Sequence, residues 1–280
     1  MTRGDRIDVA AELSTVGMVW RREMIRFVRA RSRIVGGLVQ PILFLFVLGY
    51  GLGSLVPAAG GVDYKRFIFP GTLSMSVVTT SIFSAISIVW DREFGFLREM
   101  LVAPVSRASI VLGKTSGGAT VATSQGAIML LLAPVVGVTL TPLLVVEVLG
   151  IAMLMAFALT SFGVFVASRM KKMEGFQVVM QFLLFPMIFL SGAMFPLANV
   201  PTWLSAIAHL DPLTYAIDPM RRVILGAQFA GSVPPAVAAR FGNGVTLFGA
   251  PLGIGTELVA VALFALFFLA LAVRGFSKYD

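Results

Sequence analysis

Few side chains in this 280-residue chain could make or break bonds. Cysteine is absent, which removes thiol catalysis and any disulfide framework, and His209 is the one histidine, too few for a His-rich metal or proton-relay site. Gly113-Lys114-Thr115 superficially matches the end of a nucleotide-binding P-loop, but the glycine required five residues earlier is Ala108, and the segment opens an apolar run instead of following a core strand. Lys114 is expected to snorkel to a membrane interface, and Gly113 and Gly117 to form a small-residue packing face. Glu147 and Glu257 lie near the starts of apolar runs, where a carboxylate serves either function or a hydrogen-bonded structural role. Gln125, Gln177 and Gln181 divide in the same way between interhelical bonding and substrate contact. The richest stretch is Trp90–Arg107, WDREFGFLREMLVAPVSR, which combines both charge signs with bulky apolar residues and then a proline stop. Its chemistry is that of contact with another surface.

The elements that must position these residues are apolar runs. The chain is 58% hydrophobic and 13% charged with mean hydropathy +0.92, against about 45–50% and about 25% in soluble domains, so it is an integral membrane chain. Six runs, about 34–56, 67–89, 110–138, 143–168, 176–195 and 255–273, are each long enough to cross a hydrocarbon core of about 30 Å. The expected fold is all-α, with six transmembrane helices filling one membrane domain over residues 34–280.

Residues 1–33 carry Leu13, Val16, Trp20, Met24 and Phe27 at steps of three and four, with Arg22, Arg26, Arg29 and Arg33 on another face. That pattern predicts an amphipathic helix lying in the headgroup layer of an anionic leaflet. No apolar core of signal-peptide type is present there, because arginines recur through the second half. Of 22 basic residues, eight lie in this segment, four in 91–114, three in 169–172 and two in the C-terminal tail, leaving two and three for the alternate loops. The positive-inside rule therefore puts both termini and Trp90–Arg107 in the cytoplasm. The net charge of +8 is explained by this anchoring pattern, without nucleic acid.

Thr72, Ser76, Thr80, Ser84 and Ser87 form a small polar stripe on one face of the second run, able to line a pathway or to pack helices closely. After the fifth run, SGAMFP, Pro201, Trp203 and DPLTY form short apolar pieces broken by Pro and Gly, which predict re-entrant helices tucked against protein. Residues 231–255, rich in Gly, Pro and Ala, are expected to form a long outer loop.

Glu93–Arg107 resembles the E-x-G-T-x-E-x-L-x-x-x-P-V-S-R signature of type-2 ABC-transporter permeases, and LSGAMFPLANVPTWLSAIAHLDPLTYAIDPMRR resembles their second signature after the fifth span. Phe96 stands for the usual Thr, Arg98 precedes the glutamate, and Asp211 replaces a common Asn. The resemblance implies a permease subunit, not an enzyme, that exports a hydrophobic or amphipathic compound as one half of a homodimer in the plasma (inner) membrane. Two copies of a separate ATPase chain would hold the ATP and Mg, and this chain would bind no cofactor itself. Detail in LREMLVAPVSR looks most like the antibiotic-resistance exporters, with permeases for lipid-linked polysaccharide as the alternative. A membrane enzyme or a passive channel is opposed by the absence of paired intramembrane carboxylates and of a recurrent charged ring.

The same resemblance makes Trp90–Arg107 the coupling helix that docks on the ATPase. Asp91, Arg92, Glu93, Arg98 and Glu99 would form rim ion pairs around an apolar anchor of Phe94, Phe96, Leu97 and Leu101. Gly95 would relieve backbone crowding and Pro104 would end the helix. The substrate path would run between the second and fifth spans, past Ser76, Thr80, Ser84, Gln181, Phe182, Phe185 and Phe189. Gly192, Pro196, Pro201, Asp211, Pro212, Tyr215 and Arg221 belong to the outer re-entrant segment.

Overall fold

Ten α-helices, a short 3-10 helix at Ala133–Val136 and one minimal β pair arise from the residues that the computed structural model describes, namely 9–51, 53, 63–95, 106–195, 201–229, 246–247 and 250–277. Helix α1 (Val9–Arg29) leads into α2 (Arg31–Gly51). Helix α3 (Tyr64–Ser84) starts at Asp63, whose side chain accepts from the Lys65 amide, and after Ala85 continues as α4 (Ile86–Glu93). Ser106 caps α5 (Arg107–Leu130) in the same manner, and Thr141 followed by Pro142 starts α6 (Pro142–Ala167). Then come α7 (Met173–Leu190), α8 (Thr202–Leu210), α9 (Thr214–Phe229), the antiparallel β1 (Thr246–Leu247) and β2 (Ala250–Pro251), and α10 (Ile254–Ser277).

The all-α membrane fold expected from sequence is the fold observed. Among the described residues five helices are long and apolar enough to cross a membrane: α2, α3 with α4 as one 30-residue unit, α6, α7 and α10. Helix α5 lies outside that group because its sequence is rich in Gly, Ser and Thr and carries Lys114. It ends at Leu130, short of the Val138 expected, because Pro134 interrupts and Gly137 turns back with φ +79°. Helix α7 likewise stops at Leu190, and Gly192 takes φ +74° in the turn that follows. The expected outer loop at 231–255 is largely outside the described residues, but its end holds the β pair, which no periodicity announced.

Helix α3 is the centre. Its residues are buried on nearly every side and it packs against α2, α5, α6, α7 and α9. In lipid the hydrophobic effect does not press helices together, so small residues that permit close approach decide the packing. A Cβ added at Gly71 would collide with the Ala193 carbonyl oxygen, and one at Gly163 would lie 3.0 Å from that of Ile82. Larger groups close the perimeter, where Phe268 of α10 meets Phe162 and Phe165 of α6 edge-on at 5.0 and 5.2 Å.

The helix expected in the first segment is present as α1, and it also has a packed side. It runs alongside α5 and buries Thr15, Val19 and Glu23 there, while Leu13 and Trp20 on its apolar stripe stay exposed. The match is made by Gly113 and Gly117, where an added Cβ would meet Val19 at 2.7 Å and Glu23 at 2.9 Å. The small-residue face legible in the sequence thus receives α1.

Candidate functional site

The charged residues at the start of the contact stretch turn inward. Asp91 is fully buried, and its carboxylate accepts from Arg22 at 2.6 Å, Lys114 at 2.8 Å and Arg26 at 3.2 Å. Lys114 also donates to Glu23 at 2.7 Å and to Ser87 at 3.1 Å. Three cations and two carboxylates from α1, α4 and α5 therefore share one cluster, in which Asp91, Lys114 and Glu23 are buried and Arg22 and Arg26 reach in from the surface. Lys114 does not snorkel to an interface; only 3% of its side chain is exposed, because two carboxylates within the chain satisfy it.

Arg92 and Glu93 brace two further helices. The Arg92 guanidinium donates to the carbonyls of Ser168 at 3.0 Å and Met170 at 2.5 Å, which have no helical partner at the end of α6. Glu93 accepts from the Met173 amide at 3.1 Å, at the start of α7. A carboxylate at a helix start and a cation at a helix end both match the helix dipole. Phe94 is exposed and lies tilted against Trp90 with ring centroids 5.3 Å apart, and Gly95 takes φ +85°, a conformation an L side chain resists. Phe96, Leu97, Arg98, Glu99, Leu101 and Pro104 lie outside the described residues.

The far end of the same stretch is pinned as firmly. Ser106 donates from its amide to Glu12 at 3.2 Å, and the Ser106 and Ser109 hydroxyls also donate to the Glu12 carboxylate. These bonds, the Ser106 hydroxyl first, hold the Glu12 carboxyl below the usual range. Arg107 donates to the Phe276 carbonyl at 2.9 Å, near the end of α10. Residues 91–93 and 106–107 thereby bond to α1, α5, α6, α7 and α10 or to their caps. Asp91, expected as a rim ion pair for a partner, is engaged inside the chain.

The expected path residues separate into two adjoining cavities. Thr80 and Ser84 line a cavity of about 350 Å³ together with α1, α2, α5 and α7. Gln181, Phe185 and Phe189 line a niche of about 30 Å³, and Thr79 and Phe83 belong to both. Ser76 is buried with its hydroxyl unpartnered, and Phe182 faces outward, 78% exposed; neither lines these spaces.

At the opposite end, Arg221 is buried, donates to the Gly192 carbonyl and lies 4.7 Å over the Phe67 ring. Asp211 accepts from the Leu213 amide at 2.9 Å, an Asx turn joining α8 to α9 through Pro212, and the Tyr215 hydroxyl donates to the His209 carbonyl at 2.8 Å. Pro201 precedes α8, whereas Pro196 lies outside the described residues. Glu257 is buried and pairs with Arg222 at 2.8 Å, while Glu147 is exposed.

The model of the ABC-2 type transporter family matches residues 15–225. The chain belongs to this family. The permease is 32% identical over 217 residues to Nodulation protein J of Rhizobium leguminosarum bv. viciae, covering 76% of this chain and 83% of that one. It is 30% identical to the putative transport permease ycf38 of Cyanophora paradoxa, over 72% and 71% of the two chains. With the inner membrane transport permease YadH of Escherichia coli K12 it shares 26% identity over 74% and 82%. The matched region of the permease contains residues 91–93 and 106–107, both cavities and the segment that follows α7 up to Arg222. Sequence reasoning missed Glu12, Glu23 and Lys114 as bracing residues; the available signal was a lone lysine between the glycines that receive Glu23's helix.

Proposed function

We propose that this permease is the membrane subunit of an ATP-driven exporter and that Trp90–Arg107 receives the motion of a separate ATPase. One observation carries the mechanical part: residues on both sides of the stretch are bonded to five other helices or their caps, so displacing it loads most of the bundle at once. A partner can shift the bundle only by holding this stretch differently in two states, and stiff anchors ensure that the difference is not absorbed locally. The exported compound is hydrophobic or amphipathic, since the cavities combine aromatic with neutral polar side chains. Two permeases and two ATPase chains form the working unit, with ATP and Mg held by the ATPase. The braced end faces the cytoplasm with both termini, a reading supported by the basic residues gathered there.

Arg98→Ala with Glu99→Ala leaves the braces at 91–93 and 106–107 intact. It is expected to lower co-purification with the ATPase roughly tenfold and to uncouple hydrolysis from transport. Undiminished co-purification and transport would remove the assigned role. Orientation is read by Lys171→Cys and Thr139→Cys, at opposite ends of α6 in a chain without native cysteine, which should label from opposite sides.

A further inference from the structure

The corner between α8 and α9 encloses a carboxyl that no cation of the described residues neutralises. Asp211 is 7% exposed; its Oδ1 accepts from the Leu213 amide, whereas Oδ2 is buried without a partner. The nearby hydroxyls are turned elsewhere, Thr214 donating to the Ala208 carbonyl at 2.7 Å and Tyr215 to that of His209. Charged and titratable side chains on the surrounding elements are engaged or remote. His209 donates from Nδ1 to the Ser205 carbonyl, Arg221 donates to that of Gly192, and Arg222 pairs with Asp218 and Glu257. Glu174 of α7 and Arg274 of α10 stand at the far ends of their helices. A buried carboxylate without a counter-ion is costly, so such a group takes up a proton instead. Burial accordingly pushes the Asp211 carboxyl up to about 7, with the Leu213 amide pulling the other way.

The helix before this corner is lightly held. From Trp203 to Leu210 only Ala208 is buried, while Trp203, Ile207 and Leu210 are exposed. The Thr214 and Tyr215 hydroxyls tie the last turn of α8 to α9, and α9 itself is clamped by Arg221 and Arg222. Between the corner and α10 lies a cavity of about 220 Å³, walled by Leu210, Pro212 and Tyr215 on one side and Ala260, Val261 and Phe264 on the other. Close packing resists displacement, and this gap leaves the corner room to shift.

We infer that Asp211 is a proton-binding site that sets the seating of α8: with the proton the corner stays closed and α8 lies against the bundle, and without it the corner opens until the carboxylate reaches water. The sign follows from the two environments. An open corner leaves Asp211 in water, at about 3.9, so each pH unit between about 4 and about 7 favours opening about tenfold. Above about 7 both forms are ionised and opening levels off. Acid therefore holds α8 down and neutral medium releases it. That the proton comes from the outer medium rests on the orientation proposed above.

The test is amide hydrogen exchange of the full-length chain in phosphatidylcholine nanodiscs, read in peptides covering α8 and corrected for the intrinsic pH dependence of exchange. Protection of α8 in the parent should fall by roughly tenfold or more between about pH 5 and about pH 7 and change little above about pH 8, while α6 peptides keep theirs. Asp211→Asn retains the oxygen that caps Leu213 but carries no charge, so its protection should stay at the parent's acid level throughout. His209→Gln should show the parent's fall. Flat protection in the parent, which needs no variant to see, overturns the site; so does a fall that survives in Asp211→Asn or vanishes in His209→Gln. Exchange reads the same from either membrane face, so its failure leaves ATP-driven export standing, and export that fails in the complex with the ATPase leaves the proton site standing.

Discussion

Lys114→Met removes one charge from the buried cluster while nearly preserving side-chain volume. Asp91 would keep Arg22 at 2.6 Å and Arg26 at 3.2 Å, but Glu23 would retain only Arg26 at 3.7 Å among its cations. Removing one partner of a buried ion pair costs about 3–5 kcal/mol, and the two arginines left on Asp91 put the expected loss near the lower end, about 3 kcal/mol. At about 2–4 °C per kcal/mol, the melting temperature should fall by roughly 6–12 °C. Intrinsic fluorescence in detergent can follow this, since Trp20 and Trp90 flank the cluster. Adding Glu23→Met removes the stranded carboxylate as well, and exchanging both members of a buried pair for apolar residues is often near neutral. The double variant should therefore recover at least half of the loss. A Lys114→Met protein melting within about 2 °C of the parent, or a double variant melting below the single one, would refute the bracing role.

Gly71→Ala should destabilise by about 2–3 kcal/mol, because the new methyl meets the Ala193 backbone and not a side chain that can turn away, whereas Gly150→Ala, with nothing within 4 Å, should be neutral or stabilising; paired thermal melts check the contrast. Because the folded Glu12 carboxyl is held below its unfolded value of about 4.3, its contribution is present above that pH and is lost as acidity passes through the folded value. Accelerated proteolysis of the α1 segment should therefore appear in acid below about pH 4, and Glu12→Gln should remove that acid-dependent component; an unchanged acid profile in the variant contradicts the assignment.

Features that repeat along one helix were legible in the sequence. Gly113 and Gly117 announced a close packing face, and the apolar runs announced the helices. The Ser/Thr stripe running from α3 into α4 was visible as a stripe but not divisible by use. Thr72 bonds the Phe69 carbonyl at 3.0 Å and Ser76 is buried, while Thr80 and Ser84 face the large cavity and Ser87 joins the ion cluster. Spacing cannot tell these apart, because each use depends on which helix stands opposite. Charge pairing failed for the same reason. Asp91 and Lys114 are 23 residues apart and Arg22 is 69 residues from Asp91, so no helical period connects them. Counting cations located the charged end without revealing that three of them serve carboxylates inside it.

The braces at 91–93 and 106–107 stand outside the sequence between them. Under the proposed docking on the ATPase, interface and frame would be separate modules: residues 96–105 could diversify to fit another ATPase while Asp91, Arg92, Glu93, Ser106 and Arg107 keep the same bonds. A chimera that exchanges only this inner decapeptide should inherit a new motor without refolding the bundle, a route by which one membrane scaffold can be re-paired among many engines.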